Sequence, residues 1–105
     1  MSETQDDTLP SYTPGRPADW SLVPDHMIGG LRRYIEHGIP PGSFLTAVLS
    51  NDLRGTFERG DDINRAAVEN YIRFLYNYAP AGSWGSASCF AEWCKQGGLT
   101  YRVIS

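Results

Sequence analysis

Residues that build reactive or metal-binding sites are scarce in this sequence. Its 105 residues include 2 cysteines and 2 histidines. Cys89 and Cys94 are five positions apart, which would place them on different faces of a helix, so we expect reduced thiols rather than an internal disulfide. Neither His26 nor His37 lies at ligand spacing from a cysteine, and there is no GxSxG motif. We therefore predict no catalytic residue, no metal site, no cofactor and no enzyme activity.

Clustered basic charge is missing as well. The formal net charge is −3, and the imbalance lies in residues 1–20, which hold four acidic side chains and one basic side chain. Residues 21–105 hold eight of each sign. Binding to duplex DNA normally requires clustered lysine and arginine. Direct binding of duplex DNA is therefore not expected.

Long apolar runs are also absent from the sequence. None approaches the roughly 20 residues that a membrane-spanning helix needs. The polar N-terminus does not have the pattern of a signal peptide. From these two observations we expect no membrane association, and we expect the protein to act in the cytoplasm of the cell that makes it.

The first 20 residues predict a flexible tail. Pro10, Pro14 and Pro17 interrupt them, and they contain few large apolar side chains. Such a segment buries too little apolar surface to offset the entropy lost on ordering. We place the edge of the fold at Trp20 and predict a single helical domain over residues 21–105.

Helical periodicity and helix-end signals divide this domain into short segments. Apolar side chains at spacings of three and four predict a first helix from about Pro24 to His37, ended by Gly38. Later segments each begin at a polar cap residue and end at glycine or proline. They are a helix with Ser43 as its N-cap, a further helical turn over 53–58, one long helix over 62–79 capped by Asp61 or Asp62, and a last helix from Ser86 to Gln96.

The C-terminal stretch over 99–104 contains β-favouring residues and allows a short strand. It has no convincing partner strand in the sequence. We therefore predict an all-α (mainly α) fold, a compact bundle of four to five short helices with a flexible N-terminal tail.

Four carboxylates lie close together in sequence. Asp52, Glu58, Asp61 and Asp62 fall within eleven residues and could hold a divalent cation or serve a hydrolase. Their spacing does not match an EF-hand, and helix capping already explains Asp61 and Asp62. We favour capping over metal binding or hydrolysis.

Aromatic and polar side chains provide the remaining candidate site. Core packing explains Tyr76 and Trp84 least well, and exposed aromatics beside arginine and asparagine are typical of protein interfaces and of base-stacking sites. We predict that a partner-binding surface includes Asn51, Asp52, Arg54, Asp62, Asn64, Arg73, Tyr76, Asn77 and Trp84.

Five short motifs carry a resemblance to a known group of proteins. They are IPPGSFL at 39–45, SNDL at 50–53, DDIN at 61–64, FLYN with AP at 74–80, and WGS at 84–86. With these motifs the chain resembles small accessory proteins encoded by tailed bacteriophages and prophages, over about residues 22–98. The resemblance implies a phage protein in the host cytoplasm and carries over no catalytic residue.

Several functions remain open from the sequence. The leading hypothesis is a non-enzymatic protein that binds a host or phage protein, such as a CRISPR effector component, and so inhibits host defence in the manner of an anti-CRISPR protein. An alternative is sequestration of a nucleotide signal, with Tyr76 or Trp84 stacking on the base and Arg54 or Arg73 meeting phosphate. A regulator of phage development is a third hypothesis, and homo-oligomerisation is left open.

Overall fold

A computed structural model of the chain describes residues 9–13 and 15–99. Within these ranges a 3-10 turn over Trp20–Leu22 precedes six α-helices and no strand forms, which confirms the all-α prediction. The β-favouring stretch lies outside the described residues, except for Leu99. The helices are α1 (Asp25–His37), α2 (Ser43–Leu49), α3 (Leu53–Arg59), α4 (Asp62–Ala66), α5 (Val68–Tyr78) and α6 (Ala87–Gln96).

Most helix ends follow their local signals. Asp61 caps α4 by accepting the Asn64 N–H at 2.8 Å, and Ser86 caps α6 by accepting the Cys89 N–H at 3.0 Å. These two contacts confirm the predicted caps. The N-cap of α2 is Gly42 rather than Ser43, because the Gly42 carbonyl accepts the first helical hydrogen bond, from the Thr46 N–H at 3.0 Å. No side chain caps this helix start.

The predicted long helix over 62–79 is divided in two. Ala67, with φ −95° and ψ 4°, separates α4 from α5, and this division raises the helix count to six. The Ala67 N–H donates both to Ile63 O at 3.2 Å and to Asn64 O at 3.1 Å. The second bond is of the 3-10 type, which tightens the chain locally. Neither glycine nor proline marks this point in the sequence.

The core lies between α1, α2, α5 and α6. Tyr34 is fully buried at its centre, stacks on Phe90 with ring centroids 5.2 Å apart, and donates its hydroxyl proton to Ser83 O at 2.7 Å. Burial raises the pKa of Tyr34 well above its ordinary value. Trp20, predicted to mark the edge of the fold, is itself buried and packs on Phe74.

The C-terminal ends of α1 and α6 meet at their backbones. Trp93 of α6 donates its indole N–H to the carbonyls of Tyr34 and Ile35 at 3.1 and 3.2 Å. The Leu99 N–H also donates to Ile35 O, at 3.1 Å. Ile35 O belongs to the last turn of α1, whose carbonyls lack an intrahelical partner, whereas Tyr34 O also accepts the Gly38 N–H at 2.8 Å. A Cβ at position 98 would lie 2.6 Å from the Gly38 nitrogen, so only glycine fits there.

The described part of the N-terminal segment lies against the helices. Trp20 donates its indole N–H to Pro10 O at 2.8 Å, and Tyr12 donates its hydroxyl proton to Glu36 of α1 at 2.7 Å. Arg16 donates to Asn77 O at 3.1 Å at the end of α5. Leu9, Tyr12 and Ala18 also pack against the core. Residues 1–8 and Pro14 are outside the described residues.

The close approach of the two helix ends generates a stability prediction. We expect Gly98→Ala to lower the free energy of unfolding by about 2–5 kcal/mol, because left-handed strain and a backbone overlap add together. Gly82→Ala is the matched control, since Gly82 also has a positive φ but has no atom within 4 Å of a Cβ. We expect the control to lose about 1–2 kcal/mol. Urea unfolding followed by circular dichroism measures both, and equal losses would contradict the overlap.

Candidate binding groove

An apolar groove lies between α3 and α5, beside the loop that precedes α6. Its volume is about 470 Å³. Leu53 on α3 and Ile72 on α5 flank it and are 69% and 40% exposed, so they are not part of the core. The complete lining is Val48, Asn51, Asp52, Leu53, Thr56, Val68, Ile72, Trp84 and Gly85.

The turn between α2 and α3 shapes one end of the groove. Asn51 adopts the left-handed conformation with φ 61°, and its N–H donates to Val48 O at 3.1 Å. The Asp52 N–H donates to Ala47 O at 2.8 Å. This pair of bonds is a Schellman motif, in which asparagine is the usual substitute for glycine. The turn therefore fixes Asn51 and Asp52 at the rim.

The Asp52 side chain caps the N-terminus of α3. Its carboxylate accepts the Gly55 N–H at 3.0 Å and lies 3.8 Å from the Arg59 guanidinium. A carboxylate at a helix N-terminus stabilises the helix through the backbone dipole and the exposed N–H groups. Asp52 therefore builds the wall of the groove and offers only part of its hydrogen-bonding capacity to a ligand.

The loop before α6 brings Trp84 to the groove. The Gly85 N–H donates to Leu49 O at 2.9 Å, at the end of α2. Ser83, which is fully buried, donates its hydroxyl proton to Pro80 O at 2.7 Å. These bonds hold the half-buried Trp84 with one part against the core and another in the groove wall.

The floor of the groove offers burial rather than hydrogen bonds. Thr56 is buried there and donates its hydroxyl proton to Asp52 O at 2.7 Å. Throughout the described part of the chain, every buried side-chain nitrogen and oxygen has a hydrogen-bond partner. An apolar group would bind here by displacing water from apolar surface, and the polar rim would fix its orientation.

The structure brings three of the predicted site residues together in the groove, namely Asn51, Asp52 and Trp84. Tyr76 lies one helical turn beyond Ile72 and is 80% exposed. The others form local contacts on the surface outside the lining. Arg54 pairs with Glu58 at 2.9 Å, Asp62 with Arg65 at 2.6 Å, and Arg73 with Glu69 at 3.0 Å, while the Asn77 amide donates to Arg73 O at 2.9 Å.

Asn64 is in the core, not on the surface where the periodicity predicts it. It is 5% exposed, and its Oδ1 accepts the hydroxyl proton of Tyr71 at 2.8 Å. Its Nδ2 lies 3.9 Å from the Met27 sulfur. A buried amide needs such partners, and Tyr71, seven residues further along, supplies one. Burial raises the pKa of Tyr71 above its ordinary value.

The sequence interpretation missed the apolar residues of the groove. Leu53 lies at the start of the predicted turn over 53–58, and Val68 and Ile72 lie within the predicted helix over 62–79; none of them was predicted as a site residue. One signal could have found Val68 and Ile72: the apolar arc of α5 extends from Phe74 through Tyr71 and Val68 to Ile72, about 160° at 100° per residue, which is wider than one packed face needs. The surplus part of that arc is the part that lines the groove.

The cysteines and histidines do not share a site. Cys89 lines a depression of about 360 Å³ with Glu92 and Gln96, whereas His37 lines another of about 230 Å³ with Arg32 and Arg33. Burial raises the pKa of the Cys94 thiol, which favours the less nucleophilic protonated form. Over residues 9–13 and 15–99, no three or more histidine, cysteine or acidic side chains converge where a metal ion could bind.

No known protein family, curated protein or solved structure matches this chain. In the part of the chain that the structure describes, no helix has the length and apolar character needed to cross a bilayer. The groove is therefore interpreted from its own residues.

The placement of Asn64 predicts a cost for removing its partner. Tyr71→Phe would leave the Asn64 Oδ1 without its donor in the core, and we expect a loss of about 1–3 kcal/mol in the free energy of unfolding. Tyr76→Phe removes the same hydroxyl from an exposed side chain and should change stability by less than about 0.5 kcal/mol. Thermal unfolding of both variants checks this. A neutral Tyr71→Phe would show that the buried hydrogen bond is not needed.

The left-handed residue at the groove rim predicts a different pattern. We expect Asn51→Ala to cost about 1–2 kcal/mol, because alanine is strained at positive φ. Asn51→Gly should be nearly neutral, because glycine adopts this conformation without strain. Urea unfolding distinguishes the two substitutions. Asn51→Gly then also serves as a folded variant without the rim amide, and equal destabilisation by both substitutions would argue that the amide itself holds the turn.

Proposed function

We propose that this chain is a non-enzymatic binding protein that docks a segment of another protein in the groove. The target that we infer is a host or phage protein, with a component of host defence, such as a CRISPR effector, as the leading candidate. The choice of target is supported by the resemblance to phage accessory proteins and by nothing in the groove itself. The host cytoplasm would be the place of action.

The exposed apolar side chains around the groove carry this proposal. Leu53 and Ile72 stand on either side of it, and Phe57 and Tyr76 extend the apolar surface by one turn along α3 and α5. Contiguous apolar surface of this kind on a soluble protein marks an interaction site. Interface anchors are typically aromatic or apolar side chains that fill a pocket surrounded by a polar rim.

Nucleotide sequestration has weaker support. A base could stack on Trp84, but phosphate recognition would require a cation nearby. Arg54 and Arg73, which the sequence suggested for this role, pair with Glu58 and Glu69 and do not line the groove. The balanced charge of residues 21–105 likewise gives little support to a nucleic-acid-binding regulator.

A matched pair of variants tests the docking proposal. Leu53→Asp places a charge on the groove wall, whereas Ile63→Asp places one on an apolar residue of similar exposure, 62%, outside the lining. Both positions are in the first turn of a short helix, where aspartate is favourable, so both variants should fold. We expect Leu53→Asp to weaken target binding about 30-fold, as loss of an interface anchor does, and Ile63→Asp to leave it unchanged.

The measurement has two stages. The wild-type chain and both variants are used to capture proteins from phage-infected cells. Any protein that the wild-type chain captures in a fixed stoichiometric ratio is purified, and its binding is measured by calorimetry. Thermal-shift measurements with nucleotides run in parallel. The proposal fails if no captured protein depends on Leu53, or if both substitutions weaken binding equally. A nucleotide that stabilises the wild-type chain but not the Leu53→Asp variant would favour sequestration instead.

A further inference from the structure

An unfilled groove and an exposed aromatic side chain occur on the same stripe of α5. Val68 and Ile72 line the groove at the start of the helix. Tyr76 continues the stripe at intervals of four residues and is 80% exposed, so its ring has little contact with its own chain. Along an α-helix the eight steps from Val68 to Tyr76 span about 12 Å.

Two antiparallel copies of α5 can each place the exposed residue of the stripe against the groove residue of the other. If two α5 helices lie antiparallel with a twofold axis at Ile72, position 76 of each copy lies opposite position 68 of the other. In such an isologous contact the same pair of residues meets twice. Each exposed Tyr76 would then stand over a groove that begins at Val68 of the second copy.

We propose that two copies of this chain associate through antiparallel α5 helices, each placing its Tyr76 in the groove of the other. The groove volume of about 470 Å³ is sufficient, since a cavity of about 150 Å³ already holds a benzene molecule. The ring would meet Leu53 and Trp84 in the lining. Its hydroxyl would reach the rim, where the Asn51 side chain offers both a donor and an acceptor.

The charges beside the stripe fit the same arrangement. Glu69 and Arg73 each follow a stripe residue by one position, so both lie on one flank of α5. In antiparallel helices the same flanks face each other, and with the axis at Ile72 each Arg73 lies about 3 Å along the helix axis from both Glu69 and Arg73 of the other copy. Two contacts between Glu69 and Arg73 then oppose one contact between the two Arg73 side chains. Within one chain these side chains are 3.0 Å apart and remain exposed. Opposite charges on facing flanks fix partner choice and register in paired helices.

The inference rests on the proposed function in one respect, because both take the groove as a site for a protein side chain. Since the second copy and the target would use the same groove, dimerisation and target binding would compete. A monomeric variant with an intact groove should therefore bind the target at least as well as the wild-type chain does.

Two experiments test the dimer without any target. In analytical ultracentrifugation, we expect the wild-type chain to show a concentration-dependent dimer and Tyr76→Asp to raise the dimer Kd about 30-fold or more. Ile63→Asp, a charge on another exposed apolar residue, should leave the Kd unchanged. Circular dichroism confirms that each variant is folded. A wild-type chain that stays monomeric up to about 1 mM, or equal effects of both substitutions, would overturn the proposal.

Charge reversal tests the register. Glu69→Arg and Arg73→Glu each place like charges opposite each other in a homodimer, so each alone should dimerise more weakly than the wild-type chain does. Mixed in equal amounts, the two variants should recover a dimer, because each then meets the opposite charge. The pair within each chain stays broken in both variants, so recovery on mixing reports only contacts between chains. Failure to weaken singly, or to recover on mixing, would overturn the antiparallel register.

The outcomes separate the two proposals. A Glu69→Arg variant, whose change lies outside the groove lining, that is monomeric and still binds a target through Leu53 supports both proposals. A monomeric wild-type chain with Leu53-dependent target binding overturns the dimer alone. A dimer that depends on Tyr76 in a protein that captures no target supports the dimer and leaves the proposed function without support.

Discussion

The C-terminal ends of α1 and α6 meet backbone to backbone, and this contact fixes the elements around the groove. Glycine at position 98 allows the approach, and Trp93 holds it by donating its indole N–H to two carbonyls of α1. The loop at 79–86 joins the end of α5 to the start of α6. It bonds to Tyr34 through Ser83 O and to α2 through Gly85, and Trp84 between them is carried to the groove wall.

Local chemistry predicts most of this architecture. Glycine after α1, the caps Asp61 and Ser86, and the periodic apolar faces are short-range signals, and each has its expected structural effect. The division at Ala67 has no such signal, because it accompanies a buried hydrogen bond between Asn64 and Tyr71. Burial of Asn64 depends on the elements that cover it, and a single helical period does not contain that information.

The candidate site likewise contains residues that the sequence predicts and residues that it does not. The sequence predicts Asn51, Asp52 and Trp84 as parts of a polar and aromatic surface, and the structure places Asn51 in a left-handed turn and Asp52 at a helix cap. Leu53 and Ile72 were not predictable, since an apolar side chain at helical spacing has the same signature whether or not another element covers it. The segment at 9–20 makes a related point. Its composition predicts a flexible tail, and within it Tyr12 and Arg16 contact Glu36 and Asn77.

The arrangement of polar groups determines how the groove can discriminate between ligands. Its buried polar atoms are already paired, and Glu69 with Arg73, like Arg54 with Glu58, forms an ion pair within its own helix. A ligand therefore gains mainly from burial of apolar surface. The shape of the groove then decides which side chain fits. An aromatic ring both buries apolar surface and fits the groove volume. Tyr76 provides such a ring about 12 Å along the same helix, and for this reason we propose a second copy as the ligand.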